Sequence, residues 1–234
     1  MTSRRDQLVG NRLALLGTLL YFAEWIAIPF IPSVPTDKLG VDPAAIVAEY
    51  THPQRMAFAA GWLSFVLLGR ILFAIGLRDA FRDTRRELPL ATFAVAAMAV
   101  SVGIELIDYA LVTSGAWLAH AHGAASAIVA LDTAGTILFD MIWAPIGVCM
   151  VAGSLAMHLS RLFPRWLTWL GLVAGALVIC GGIVAASAQG ATGSFHTVGG
   201  ILNGPPTFGF WIWMIGTSVV LFRATPRRGA AQSA

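Results

Sequence analysis

Charge is scarce in this chain. Only 12% of its 234 residues are Asp, Glu, Lys or Arg, about half of the roughly 25% that soluble domains carry. With 57% hydrophobic residues and a mean hydropathy of +0.76, too little solvating surface remains for a water-soluble globule. The class left standing is a polytopic membrane protein. Cysteine is nearly absent too: Cys149 and Cys180 both fall inside apolar runs, which reads as small membrane-core residues and not as a disulfide framework. There is no Walker loop, no GxGxxG, no Ser-His-Asp signature and no pair of mid-membrane histidines for haem, so no cofactor is expected. The net charge of +3 is spread over short loops and forms no patch for nucleic acid.

What the chain has in abundance is long apolar runs. Six are counted, at about 13–31, 56–77, 90–112, 129–157, 167–187 and 207–222. The fourth exceeds the roughly 20 residues a straight span needs, so it is expected to tilt or to emerge beyond the membrane. Pro205-Pro206 are expected to start the sixth helix. Arg4 and Arg5 precede an apolar stretch as in a signal peptide, yet that stretch runs to about Ile31 with no small-x-small cleavage site, and reads as an uncleaved first span.

Positive residues then orient the spans. Of the 15 Lys and Arg, those before span one and after spans two, four and six fall on one side. Lys38 and Arg55 fall on the other, and Arg70 lies inside span two. By the positive-inside rule both termini are cytoplasmic. The expected fold is therefore all-α: one membrane domain over residues 1–234, an integral bundle of six transmembrane helices in a bacterial-type cell membrane. Asp42-Pro43 predicts a short surface helix over 44–50 in the first outer loop. The other outer loops are expected at 113–128 and 188–206. Gly171-x-x-x-Gly175 lets a second helix approach closely within the bundle; a homodimer interface is its other use.

The chemistry is expected where acids interrupt these runs. A carboxylate at the centre of a membrane helix costs about 2.5–3.5 kcal/mol even on lenient insertion scales, so such groups must face protein or water. Glu24 lies near the middle of span one, and Glu105 and Asp108 lie in the outer half of span three, three residues apart on one face. Asp132 and Asp140 lie in span four, within about 80° of each other. Asp132 also reads as a helix cap and Asp108 as an interfacial acid beside Tyr109. Arg70, the one intramembrane cation, reaches either the lipid phosphates or one of the acids.

Tryptophans sit at the same level: Trp25 beside Glu24, Trp62 in span two, Trp143 three residues after Asp140, and Trp211 at the start of span six. Some belong to interfacial belts. Indole faces around an acid would also hold a cation or stabilise a developing carbocation. His120-x-His122 has loose spacing and no HExxH-like partner, and reads as solvated loop histidines with no metal site.

The segment LSRLFPRWLTWLGLVAG, beginning at Leu159, resembles a recurring pattern of a bacterial multi-pass membrane family catalogued only as a domain of unknown function. That family also tends to have a long first outer loop, like residues 32–55 here. The resemblance implies the fold and no substrate. Small membrane-integral terpene cyclases are similar in size, helix-only design and reliance on intramembrane acids, by analogy alone.

Three functions are consistent with these residues. The first is a pocket in the outer half that binds an apolar, isoprenoid-like molecule and transforms it by acid-initiated isomerisation or cyclisation. Glu24, Glu105 and Asp140 would be its proton donor and acceptors, and Asp108, Asp132, Trp25, Trp62, Trp143 and Trp211 its lining. The second is a proton-coupled carrier using the same acids. Pro29 and Pro145, each soon after an acid in corresponding spans of two halves, favour it. The third is a non-catalytic membrane scaffold.

Overall fold

In lipid, a backbone amide finds no water, so each span must satisfy its own hydrogen bonds. The computed structural model, which describes residues 4–30, 44, 47–48, 50, 52–187 and 194–224, obeys this: its regular elements are helices. They are α1 (Arg4–Phe22), followed by 3₁₀ turns at Ala23–Ile26 and Ile28–Phe30, then α2 (Pro53–Val66), α3 (Leu68–Asp79), α4 (Glu87–His120), α5 (Ala125–Met141), α6 (Trp143–Ser160), α7 (Arg165–Ser187) and α8 (Ser194–Ala224). Helices α2 and α3 are two parts of one span, and so are α5 and α6. Among the described residues the chain is thus an all-α bundle of six helical segments, five of them long and apolar enough to cross a membrane: 53–79, 87–120, 125–160, 165–185 and 204–223.

Several sequence-based boundaries move. The over-long fourth run breaks at Ile142, three residues before Pro145, instead of simply tilting. Proline lacks the N–H that would bond one turn back, and the chain relieves that loss at a helix junction. The second run also breaks, at Leu67, with no proline nearby. Pro205-Pro206 do not start the last helix: α8 begins at Ser194 and runs through both. Membrane helices tolerate such prolines because neighbours and local adjustments re-satisfy the freed carbonyls. The outer loop expected at 113–128 shrinks to four residues, since α4 continues to His120 over about 51 Å. In the predicted surface helix 44–50, Ala44, Val47 and Ala48 are helical; its other residues before Tyr50 lie outside the described set.

Six helices close a ring: α1 meets α3, α3 meets α4, α4 meets α6, α6 meets α7, α7 meets α8, and α8 returns to α1. Helix α2 packs on α4, and α5 lies against α4 and α7. Small residues set the closest approaches. A Cβ at Gly17 would overlap the Phe73 amide and the Gly69 carbonyl, and one at Gly69 would overlap the Gly17 carbonyl and the Tyr21 amide. Gly175 packs against the Gly147 carbonyl, and Gly171 against Ser154 and Trp213, so the Gly171-x-x-x-Gly175 stripe is used inside the bundle. Trp213, fully buried, fills the middle, edge-on to Phe73 at 5.4 Å between ring centres. Helices α1 and α8 are further clasped by Thr18 and Ser218, whose hydroxyls lie 2.7 Å apart, the Ser218 hydroxyl also donating to the Ala14 carbonyl.

Candidate functional site

The break at Leu67 places Arg70 in the first turn of α3, where the glycine contact between Gly69 and α1 draws it into the bundle. The residue is 1% exposed. One Nη2–H donates to Glu105 Oε2 on α4. The guanidinium carbon stands 5.2 Å over the Tyr21 ring, a cation–π contact. Tyr109, one turn after Glu105, donates to Glu105 Oε1 at 3.4 Å. The Trp211 indole N–H donates to the Tyr21 hydroxyl at 3.4 Å. Glu105 is thus held from two sides and is itself buried.

Glu24 belongs to the same neighbourhood. Helix α1 stops at Phe22, and the 3₁₀ turn that follows carries Glu24 within electrostatic reach of Arg70, Tyr21 and Tyr109. That turn is tied to α2 by the Trp62 indole N–H, which donates to the Ala23 carbonyl at 2.8 Å. Glu24 is only half-buried. Around it the outer surface is aromatic: Trp25 meets Trp211 edge-on at 5.3 Å, and Phe208 meets Trp211 at 5.2 Å. Trp25 and Phe208 are 50% and 60% exposed, so the rim beside Glu24 is open and apolar.

A second acid group adjoins the first. Asp108 and Asp132 are buried at the α4–α5 contact, where Asp108 Oδ1 lies against Gly135. Tyr50, from the segment before α2, is inserted at 1% exposure and donates its hydroxyl to Asp132 Oδ1. It packs with Met56, Ala116 and Ile128. Burial, followed by the hydrogen bond and the charge of Asp132, pushes the Tyr50 phenol well above its ordinary value.

The expected acids therefore divide. Glu24 and Glu105 surround Arg70, and Asp108 and Asp132 adjoin Tyr50. Asp140 lies about two turns beyond Asp132, near the end of α5, where its backbone carbonyl lies 3.3 Å from the Cβ position of Gly182 on α7. Trp143 follows it across the break, edge-on to Phe139 at 6.0 Å. Of the expected tryptophans, Trp25, Trp62 and Trp211 gather at Glu24, while Trp143 stays with Asp140. The sequence reading overlooked the tyrosines as partners. Tyr21 precedes Glu24 by three residues and Tyr109 follows Glu105 by four, the offsets at which helical side chains meet; Tyr50 carried no local signal.

His120 is exposed, edge-on to Trp117 at 6.1 Å, and His122 takes a left-handed φ of 56° at the turn. Among the described residues no group of His, Cys, Asp and Glu is arranged to hold a metal ion. No protein-family profile, curated protein or solved structure matches the chain.

Proposed function

We propose that this polytopic membrane protein binds an apolar, isoprenoid-like small molecule at the Glu24–Arg70–Glu105 site and transforms it by acid–base chemistry. The observation that carries the reading is Glu24 itself: a half-buried carboxyl on a helix break, framed by exposed Trp25 and Phe208 and half-buried Trp211, with the Arg70–Glu105 pair behind it. Two carboxyl groups, Glu24 and Glu105, share the single guanidinium of Arg70. Such a site favours an added positive charge, either a proton or a ligand cation.

In this reading an apolar chain enters from the bilayer between the aromatic side chains. Glu24 in its acid form gives a proton to a carbon–carbon double bond, whose π electrons form the new C–H bond and leave a carbocation. The indoles of Trp25 and Trp211 stabilise that cation. Loss of a proton from a neighbouring carbon to a site carboxylate regenerates a double bond, and the net change is an isomerisation or ring closure. Glu105, held by Arg70 and Tyr109, keeps the field fixed. Asp140 and Trp143 would serve such a reaction only from a separate position beside α7. The membrane is a bacterial-type plasma membrane, with both termini cytoplasmic by the loop charges. The resemblance to an uncharacterised multi-pass family fits this layout.

A second reading, a proton-coupled carrier, is favoured by one specific feature. Three spans are interrupted beside polar residues, after Phe22, at Leu67 and at Ile142, as transporter helices are at their binding sites. The test is titration of the purified protein with an isoprenoid amine and an isoprenoid alcohol, followed by tryptophan fluorescence. Saturable quenching that weakens at least tenfold in Glu24→Gln is expected for the amine. Quenching that never saturates, or that is identical in Glu24→Gln, refutes the site. Product analysis by mass spectrometry and proton uptake into vesicles then separate enzyme from carrier.

A further inference from the structure

The turn between α6 and α7 lies in the motif that begins at Leu159, and the site above makes no use of it. The chain contains no Asp or Glu after Asp140, so Arg161 and Arg165 have no acidic neighbour on their own elements. Both are exposed. Arg161 holds a left-handed φ of 54°, and the Leu162 amide donates to Ser160 Oγ at 3.3 Å, which fixes the turn.

Beside the two arginines the surface is amphipathic. Leu159 and Leu162 are 51% and 47% exposed, and Trp166 and Trp169 are each 57% exposed. Arg165 and Trp166 lie four and three residues before Trp169, spacings that put them on one side of α7. His158 from the end of α6 meets Trp169 edge-on at 6.5 Å and joins the two helices' faces. The adjacent α3–α4 turn docks through Phe81 on Phe163, with ring centres 5.9 Å apart. It adds exposed Arg82, Arg85 and Arg86, against Asp83 and Glu87, so its contribution is also net positive.

We infer that this face is a binding site for an anionic phospholipid, with Arg161 and Arg165 on the phosphate and Trp166, Trp169 and the leucines along the glycerol and acyl chains. Two exposed guanidiniums four residues apart match a phosphate by charge. Exposed indoles directly beside them match an amphiphile and not a free anion, because a soluble phosphate would leave the tryptophans without a role.

Native mass spectrometry of the full-length protein in detergent tests this, using phosphatidylglycerol, phosphatidylcholine of the same chains, and glycerol phosphate without chains. Preferential retention of phosphatidylglycerol is expected, with no retention of glycerol phosphate. Arg161→Gln with Arg165→Gln lowers its apparent affinity roughly 30-fold, and the matching Lys variants keep most of it, which separates lost charge from lost fold. Arg12→Gln with Arg223→Gln, an equal loss of exposed charge elsewhere, leaves affinity within about twofold. Equal retention of phosphatidylcholine overturns the inference. So does an equal loss in the Arg12 and Arg223 control, since that reports only overall charge, and so does binding of glycerol phosphate, which makes the site one for a free anion.

Discussion

Replacing Arg70 by Met removes the cation from a pair whose partners are 1% and 5% exposed. Methionine fills much of the arginine stem's volume, so the change is electrostatic more than steric. Glu105 would keep Tyr109 as a donor but lose its counter-charge, and Tyr21 would lose the guanidinium over its ring. Breaking a buried pair from one side costs about 3–5 kcal/mol, against about 0–1 kcal/mol for a pair in water. If the conversion for soluble domains of similar length holds, at about 2–4 °C per kcal/mol, the midpoint of thermal unfolding in detergent falls by roughly 6–20 °C. The control is Arg70→Met with Glu105→Leu, which removes both charges and should recover most of the loss, since an apolar pair of similar volume is often no less stable. A drop in Arg70→Met worth under about 1 kcal/mol would mean the pair is hydrated. A double variant no better than the single one would mean that packing, and not charge, holds the two helices.

Other consequences can be checked with the same preparations. Gly69→Ala forces a methyl into the Gly17 carbonyl and Tyr21 amide; because backbone cannot yield as a side-chain tip can, a loss of about 1–3 kcal/mol is expected, and an unchanged melting midpoint would show that α1 and α3 are not in that contact. Tyr50→Phe keeps the ring in its apolar seat but deletes the donor to Asp132, at a cost of about 1.5–3 kcal/mol; a neutral result would place Tyr50 in water. The raised Tyr50 phenol also sets a pH window. Its contribution is fully present below the ordinary tyrosine value of about 10 and is lost only as pH rises through the higher folded value. Absorbance at 295 nm near pH 10.5 should therefore be the same in the natural protein and in Tyr50→Phe, and a difference of one phenolate would refute the burial.

The helical, membrane-embedded character of the chain was legible because hydrophobic length and scarcity of charge are properties of segments, independent of which segment touches which. Glu24, Glu105 and Arg70 were also visible, since each ionisable group in an apolar run needs a partner. Which partner was not. Arg70 could snorkel or pair until the Gly17–Gly69 approach and the break at Leu67 fixed its depth and direction, and neither is encoded by periodicity. Asp140 stays on the unbroken helix α5 with Asp132, but about two turns farther along, where the end of α5 meets Gly182 of α7. Tyr50 reaches Asp132 across 82 residues, a pairing with no local pattern. Pro205-Pro206 misled for a physical reason: in water they favour a helix start, whereas a membrane helix keeps its path where stopping would expose more backbone to lipid.

The most direct measurement is photolabelling of the reconstituted protein with a diazirine-bearing isoprenoid amine, mapped by peptide mass spectrometry. The proposed site predicts labels concentrated on the segment Tyr21 to Ile26 and on Phe208 to Trp211, displaced by unlabelled amine and reduced in Glu24→Gln. Labels spread evenly over lipid-exposed side chains such as Phe93, Val100 and Ile183, which are 57%, 55% and 58% exposed, and indifferent to competitor, would contradict it: the acids would then be a structural tie and not a site.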